Sequence, residues 1–231
     1  MMSRLGATLL AAATLVTTPV AAQDRLVVVE LFTSQGCSSC PPADAILHDL
    51  AGMEGVLALA LHVDYWDYIG WEDSFAQAAF TMRQESYARF AGSSTIYTPQ
   101  MIVGGVDAVV GAHGMEVMQQ VRRHGALPMT VSLSLDRRPG GVRIEAQGQG
   151  SRPVLVQLVR FMPEAEVEVT RGENAGHRLR STNIVTSWEV LLLWDGQSPL
   201  TLDVDLPGTD PAAVILQEEG PGAILAAARL D

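Results

Sequence analysis

The sequence predicts an α/β domain followed by an all-β, sandwich-like domain, and three observations carry that prediction. From residue 23 to about 128, near-continuous apolar runs alternate with stretches whose apolar residues recur at helical spacing. After Pro128 the pattern changes to a period of two, broken by Gly, Pro and Asp. The composition is that of a packed chain: of 231 residues, 48% are hydrophobic and 18% charged, which excludes a disordered polymer.

The elements follow in order. Residues 1–4 are short and basic, 5–16 are uncharged and rich in Ala and Leu, and 17–22 supply small residues. An apolar core of about a dozen residues is too short to span a bilayer of roughly 30 Å. Residues 1–22 therefore read as a secretory signal cleaved before Gln23. Residues 26–32 form an apolar run suited to a strand buried on both faces. Residues 41–51 read as a helix stopped by Gly52, 56–63 as a second buried strand, and 73–91 as a longer helix. Residues 100–103 and 106–110 read as two strands turning at Gly104-Gly105, and 113–124 as a closing helix. Beyond Pro128, strands are expected over 130–135, 142–146, 154–161, 166–170, 183–193, 200–206, 212–218 and 223–230. The domains expected are 23–128 and 129–231, joined by a short boundary and packed together.

Charge narrows the partners. Asp and Glu number 26 against 15 cations, all of them arginine, for a net charge of -11. Such a surface lacks the clustered cations that bind nucleic acid or anionic membrane. Removing residues 1–22 takes away Arg4 and no acid, leaving 14 cations against 26 acids, or -12. The expected protein is exported, in an oxidising compartment such as the bacterial periplasm, with no membrane span after cleavage.

The two cysteines of the chain, Cys37 and Cys40, form a C-x-x-C between the first strand and the first helix. A cysteine at a helix N-terminus meets unpaired N–H groups and the positive end of the helix dipole, which favour the thiolate. Cys40 lies one turn later, close enough for a Cys37–Cys40 disulfide, and Pro41-Pro42 suit a first helical turn. A closed zinc site is disfavoured, because there is no second cysteine pair and no histidine pair at ligand spacing. A structural disulfide and a Cu(I) carrier using the same two thiolates remain as alternatives to redox exchange. No metal or cofactor is expected for the exchange reading.

Tyr97-Thr98-Pro99-Gln100 places a proline directly before a buried strand, a site where a cis peptide is plausible. With the C-x-x-C, this resembles a thioredoxin-fold domain. The resemblance implies that the Thr98–Pro99 loop faces the dithiol and docks an extended substrate segment. It also implies that a buried carboxylate such as Glu30, seven residues before Cys37, moves protons for the second cysteine. Longer stretches, Val29-Glu30-Leu31-Phe32-Thr33-Ser34-Gln35-Gly36-Cys37, His62-Val63-Asp64-Tyr65-Trp66-Asp67-Tyr68 and Arg171-Gly172-Glu173-Asn174-Ala175-Gly176, are similar to one family of exported bacterial thioredoxin-like proteins catalogued as a domain of unknown function.

Around these residues the expectations are specific. Cys37 attacks, Cys40 resolves, and Glu30 either assists proton transfer or serves structurally by capping loop amides; Thr98, Pro99, Trp66 and Tyr65 form the substrate-facing wall. The 62–71 segment alternatively packs as an aromatic patch, and the 171–176 loop serves either as a structural hairpin or as a piece of the redox rim. The expected partners are a thiol- or disulfide-bearing protein substrate and a separate electron partner. A non-catalytic interaction module that keeps the disulfide is the third class.

Overall fold

The first strand consists of seven residues, all buried, in the interior of an eight-stranded sheet. In the computed structural model, which describes residues 25–150 and 152–230, the chain runs β1 (Val27–Thr33), α1 (Pro41–Ala51), β2 (Val56–His62), α2 (Ala78–Phe90), β3 (Gln100–Val103), β4 (Asp107–Val110) and α3 (Gly114–Gly125). It continues through β5 (Val131–Arg138), β6 (Gly141–Gly148), β7 (Val154–Glu168), β8 (Arg178–Trp194), β9 (Leu200–Asp205), β10 (Ala212–Glu218) and β11 (Ile224–Leu230). The signal expected over residues 1–22 lies outside the described residues. Among them, no helix is long and apolar enough to cross a membrane.

The fold is mixed α/β. β1 pairs in parallel with β2 and antiparallel with β3, which pairs with β4. Residues 27, 29 and 31 face α1 and α3, packing on Leu47, Leu50, Val117 and Val121. Val28 and Phe32 face the other way, toward Phe80 and Tyr87 of α2. A strand covered on both faces needs apolar residues at nearly every position, which is why β1 and β2 show no alternation.

The two halves share one sheet. Its order is β11-β10-β7-β8-β2-β1-β3-β4, so β8 joins the edge of β2, with Ala60 opposite Ile184. This closes what would otherwise be an open edge at β2. A second sheet, β5-β6-β9, packs over the β7, β10 and β11 end through Leu133, Ile144, Val156 and Val214. The sandwich-like packing expected of the second half is thus present, but one of its layers is continuous with the sheet of the first half.

Local chemistry moves some boundaries. α2 starts at Ala78 rather than near 73, because the Asp73 carboxylate accepts the Phe75 N–H in a tight turn that competes with helix. β7 and β8 run for 15 and 17 residues as a long hairpin, instead of the shorter strands expected. Pro163 falls between the Met162–Ile184 and Glu164–Thr182 pairs, where it has no N–H to contribute. Opposite it Asn183 takes φ +48 and turns its side-chain amide to the Ala58 carbonyl of β2, at 2.9 Å. Asparagine tolerates that left-handed geometry better than most residues, so the hairpin passes this point unbroken and its tip reaches the segment that precedes α1.

Candidate functional site

Cys37 and Cys40 are joined as a disulfide, with Cα atoms 5.4 Å apart. Cys40, rather than Cys37, occupies the cap position of α1, and Pro41-Pro42 open the helix. The Cys40 carbonyl accepts the Ala43 and Asp44 N–H groups, while its own N–H bonds the Cys37 carbonyl. Cys37 therefore sits in the tight turn preceding the helix. Both residues are enclosed, Cys37 at 1% exposure and Cys40 at 0%, whereas Ser38 and Ser39 between them face solvent.

The Thr98–Pro99 peptide is cis. Gly111 ties this loop to α1: a side chain there would meet Pro99 at 3.0 Å, Ala43 at 3.1 Å and Leu31 at 3.2 Å. The Gly111 N–H also bonds the Pro99 carbonyl. Trp66 donates its indole N–H to the Thr98 hydroxyl at 2.7 Å, and Tyr65 donates to Gln84, whose amide binds Tyr97 and Gln100. Burial pushes the Tyr65 phenol up to about 12, partly offset by its hydrogen bonding with Gln84 and Thr98. Thr98, Pro99, Trp66 and Tyr65 are thus brought together, with the two aromatics bracing the loop.

A cover arrives from the far half of the sequence. The tip of the β7–β8 hairpin folds on itself through bonds between Val169 and His177 and between Gly176 and Val169. From it the Asn174 amide donates to the carbonyls of Gln35 at 2.9 Å and Cys37 at 3.1 Å. Ser38 donates to Glu173 at 2.6 Å. Gly172, at φ +78, lies against Trp71, leaving 3.2 Å from an added Cβ to the tryptophan. Trp71 in turn donates to the Gln35 side chain. The 171–176 loop is therefore bonded directly to the segment carrying the disulfide.

Beneath that segment lies a cluster of acids around one histidine. His62, buried at the end of β2, contacts Asp73 through Nδ1 at 2.7 Å, and the same Asp73 oxygen accepts the Gln35 N–H. Burial works against the Asp73 charge, but the His62 bond and the Gln35 and Phe75 N–H groups outweigh it and hold the carboxyl below its usual range. Asp44, one turn beyond Cys40, accepts the Thr33 hydroxyl at 3.0 Å. Burial raises its carboxyl to about 7, against the opposing pull of His62 and Thr33.

Glu30 occupies the opposite face of the sheet from this cluster. Arg83 grips both its oxygens, at 2.6 and 3.0 Å, and Tyr87 donates a further bond at 2.6 Å. The guanidinium also stacks 3.7 Å over Trp188 and reaches Gln217. Burial opposes the Arg83 charge, yet Glu30 more than offsets it and raises the pKa above the usual value. Alternation along β1 sets this placement: residue 30 points with Val28 and Phe32 toward α2, not toward α1.

Asp44 and Asp73 are residues of the site that sequence reasoning did not single out, and Asn174 entered it only as part of the 171–176 loop. The helical spacing of Asp44 from Cys40 carries a usable signal, since i and i+4 share a face. Asp73 and Asn174 converge on Gln35 only through tertiary structure.

Among solved structures, the chain is 34% identical to protein AGR_C_4864 from Agrobacterium tumefaciens, covering 91% of this chain and 96% of that one, with a TM-score of 0.78. It also shares its fold with HBP35 of Porphyromonas gingivalis, at 13% identity and a TM-score of 0.56, covering 90% and 76%. No curated protein matches it. The family described as "Protein of unknown function (DUF1223)" matches residues 28–217, and the chain belongs to that family.

Proposed function

We propose that the protein is an exported thiol–disulfide oxidoreductase built on a thioredoxin-like domain. The carrying observation is the Cys37–Cys40 disulfide at the start of α1, packed through Gly111 against the cis Thr98–Pro99 loop. The order β1-α1-β2-α2-β3-β4-α3 is compatible with that domain. A disulfide in a chain with a signal-like N-terminus favours an oxidising compartment such as the periplasm. In this reading Cys37 is the attacking sulfur and Cys40 the resolving one, with Thr98 and Pro99 docking an extended segment of a protein partner. A separate partner exchanges electrons with the dithiol.

A glutathione titration of the mature chain, with trapping of free thiols, tests the proposal. A reversible midpoint between about −120 and −270 mV, the span of thiol–disulfide catalysts, is the expected result. The burial of both cysteines under Asn174 favours one competing reading, an inert structural bridge. Resistance to reduction below about −300 mV would establish that reading instead.

A further inference from the structure

A cleft opens on the face of the sheet that α2 covers, away from α1 and the disulfide. It lies between α2 and strands β7, β8 and β10, encloses about 390 Å³, and is bordered by the turn between β10 and β11. That volume suits a small organic molecule. Its walls are apolar: Met82 of α2, Leu155 of β7, Val190 of β8 and Pro221 of the turn. Met82 and Val190 are 58% and 57% exposed, so an occupant would cover apolar surface that water now meets. The floor is different in kind. Gln157 and Gln217, 1% and 0% exposed, lie there with Arg83, whose guanidinium stacks on Trp188.

A count of donors and acceptors on this floor defines what it lacks. Arg83 commits Nε and Nη2 to Glu30, and Nη2 also meets Tyr87 and Gln217. Its Nη1 reaches Gln157 only at 3.5 Å, the outer limit of a hydrogen bond. The Gln157 oxygen takes the Trp188 indole N–H at 2.8 Å, and the Gln157 amide donates to Gln217 at 3.1 Å. The Gln217 oxygen thus accepts from both Arg83 and Gln157, while its own two amide protons go to the Tyr87 oxygen and the Gly222 carbonyl. Both glutamine oxygens already face two donors each. Among the described residues, one Gln157 amide proton and the Nη1 group of Arg83 keep capacity to donate. Gln77 and Ser86, the other polar groups of the lining, donate to the Thr186 and Met82 carbonyls. The floor is short of acceptors, and an occupant has to bring one.

We propose that this cleft binds an uncharged organic carbonyl compound, its apolar body against Met82, Leu155 and Val190 and its oxygen accepting from Arg83 Nη1 and the Gln157 amide. Charge decides between a neutral acceptor and an anion. The Arg83 cation is already balanced by Glu30, which is wholly buried beneath it. A ligand carboxylate would place a second anion on one cation, lose its hydration between apolar walls, and add to a chain charge of -11. A ketone, ester or tertiary amide oxygen supplies the missing acceptor without that cost. The floor is also pre-organised, since each of its side chains is held by at least one neighbour at 3.1 Å or less. The site is separate from disulfide exchange, and its argument uses neither cysteine.

The test titrates the isotope-labelled mature chain with butyrophenone, an aromatic ketone, and follows the Trp188 indole and Gln157 side-chain amide signals by NMR. Both should shift and saturate, with a Kd of about 1 mM or tighter, as a ligand of this size allows. Butylbenzene, which lacks the oxygen, and 4-phenylbutyrate, which carries a charge, should each bind at least about tenfold more weakly. Val190→Trp, which fills the cleft from an exposed position, should weaken butyrophenone by about tenfold or more while signals remote from the cleft keep their places. Met82→Trp closes the same cleft from α2 and serves should the first variant fail to fold. Shifts that do not saturate, or that fall on residues away from the cleft, overturn the site. Equal affinity for the hydrocarbon or the carboxylate overturns the ligand class, and unaltered binding by the folded variants overturns the location. None of these outcomes bears on exchange at Cys37 and Cys40.

Discussion

Asn174 follows Cys37 by 137 residues, yet its side-chain amide donates to the Cys37 backbone carbonyl at 3.1 Å. The second proton of the same amide goes to the Gln35 carbonyl, so one side chain clasps both ends of the segment that leads into the Cys37–Cys40 disulfide.

Replacing Asn174 with Ala releases that clasp. Reduction of the Cys37–Cys40 disulfide by dithiothreitol should accelerate by about tenfold, because roughly 1.4 kcal/mol separates each decade and two neutral hydrogen bonds are worth about that much. The midpoint potential should move far less than the rate. Quenched thiol labelling over time measures the first quantity and a glutathione titration the second; an unchanged rate would mean that the loop does not restrict access.

The Asp44 carboxyl gives stability a definite dependence on pH. Its folded pKa, about 7, lies above the ordinary 3.8, so the folded state favours the protonated form. The corresponding stability is fully present below about pH 4 and is lost as pH rises through 7. Asp44→Asn cannot ionise and should be more stable than wild type at pH 8, by on the order of 2–4 kcal/mol, with no advantage at pH 4. Urea denaturation at the two pH values checks both sign and size.

Glu30→Gln should be costly for a different reason. It leaves the Arg83 guanidinium buried beside Trp188 without its counter-charge, a change that typically costs about 3–5 kcal/mol. Changing Arg83 to Met in the same chain should recover part of that loss, since no unpaired charge then remains buried. Thermal unfolding of the single and double variants measures the recovery; equal midpoints for the two would show that Arg83 finds other partners.

Gly111→Ala probes the contact between the cis-proline loop and α1. The added methyl group must fit among Pro99, Ala43 and Leu31, all within 3.2 Å. Overpacking of this kind costs about 1–3 kcal/mol. Displacement of Pro99 should also lower the exchange rate by more than the stability loss explains, which parallel denaturation and turnover measurements at 15 °C would reveal.

Much of this arrangement was legible in the sequence, because local signals set it. The apolar runs of β1 and β2, the prolines that open α1 and the proline preceding β3 each act through neighbouring residues. The orientation of Glu30 was readable in principle from alternation along β1, but a strand buried on both faces hides which face is which. Arg83, 53 residues later, is the partner that decides its role. The union of β8 with β2 was out of reach for a related reason: a single registered pair and the Asn183 side chain make the junction, and neither leaves a periodic trace. Asp73 looked like the start of a helix and is instead the hub that joins Gln35, His62 and Phe75.

The β7–β8 hairpin also works as a ruler. Its strands advance about 3.3 Å per residue, and side chains change face with every step. Deleting two residues from each strand between the Asn183 junction and the tip would keep every remaining side chain on its own face while retracting the tip by about 7 Å. Asn174 would then fall short of both carbonyls with its own chemistry untouched. The reach of the cover is thus written in chain length rather than in residue identity, and removing residues from this hairpin in pairs would unfasten the segment before the Cys37–Cys40 disulfide without altering a single residue around it.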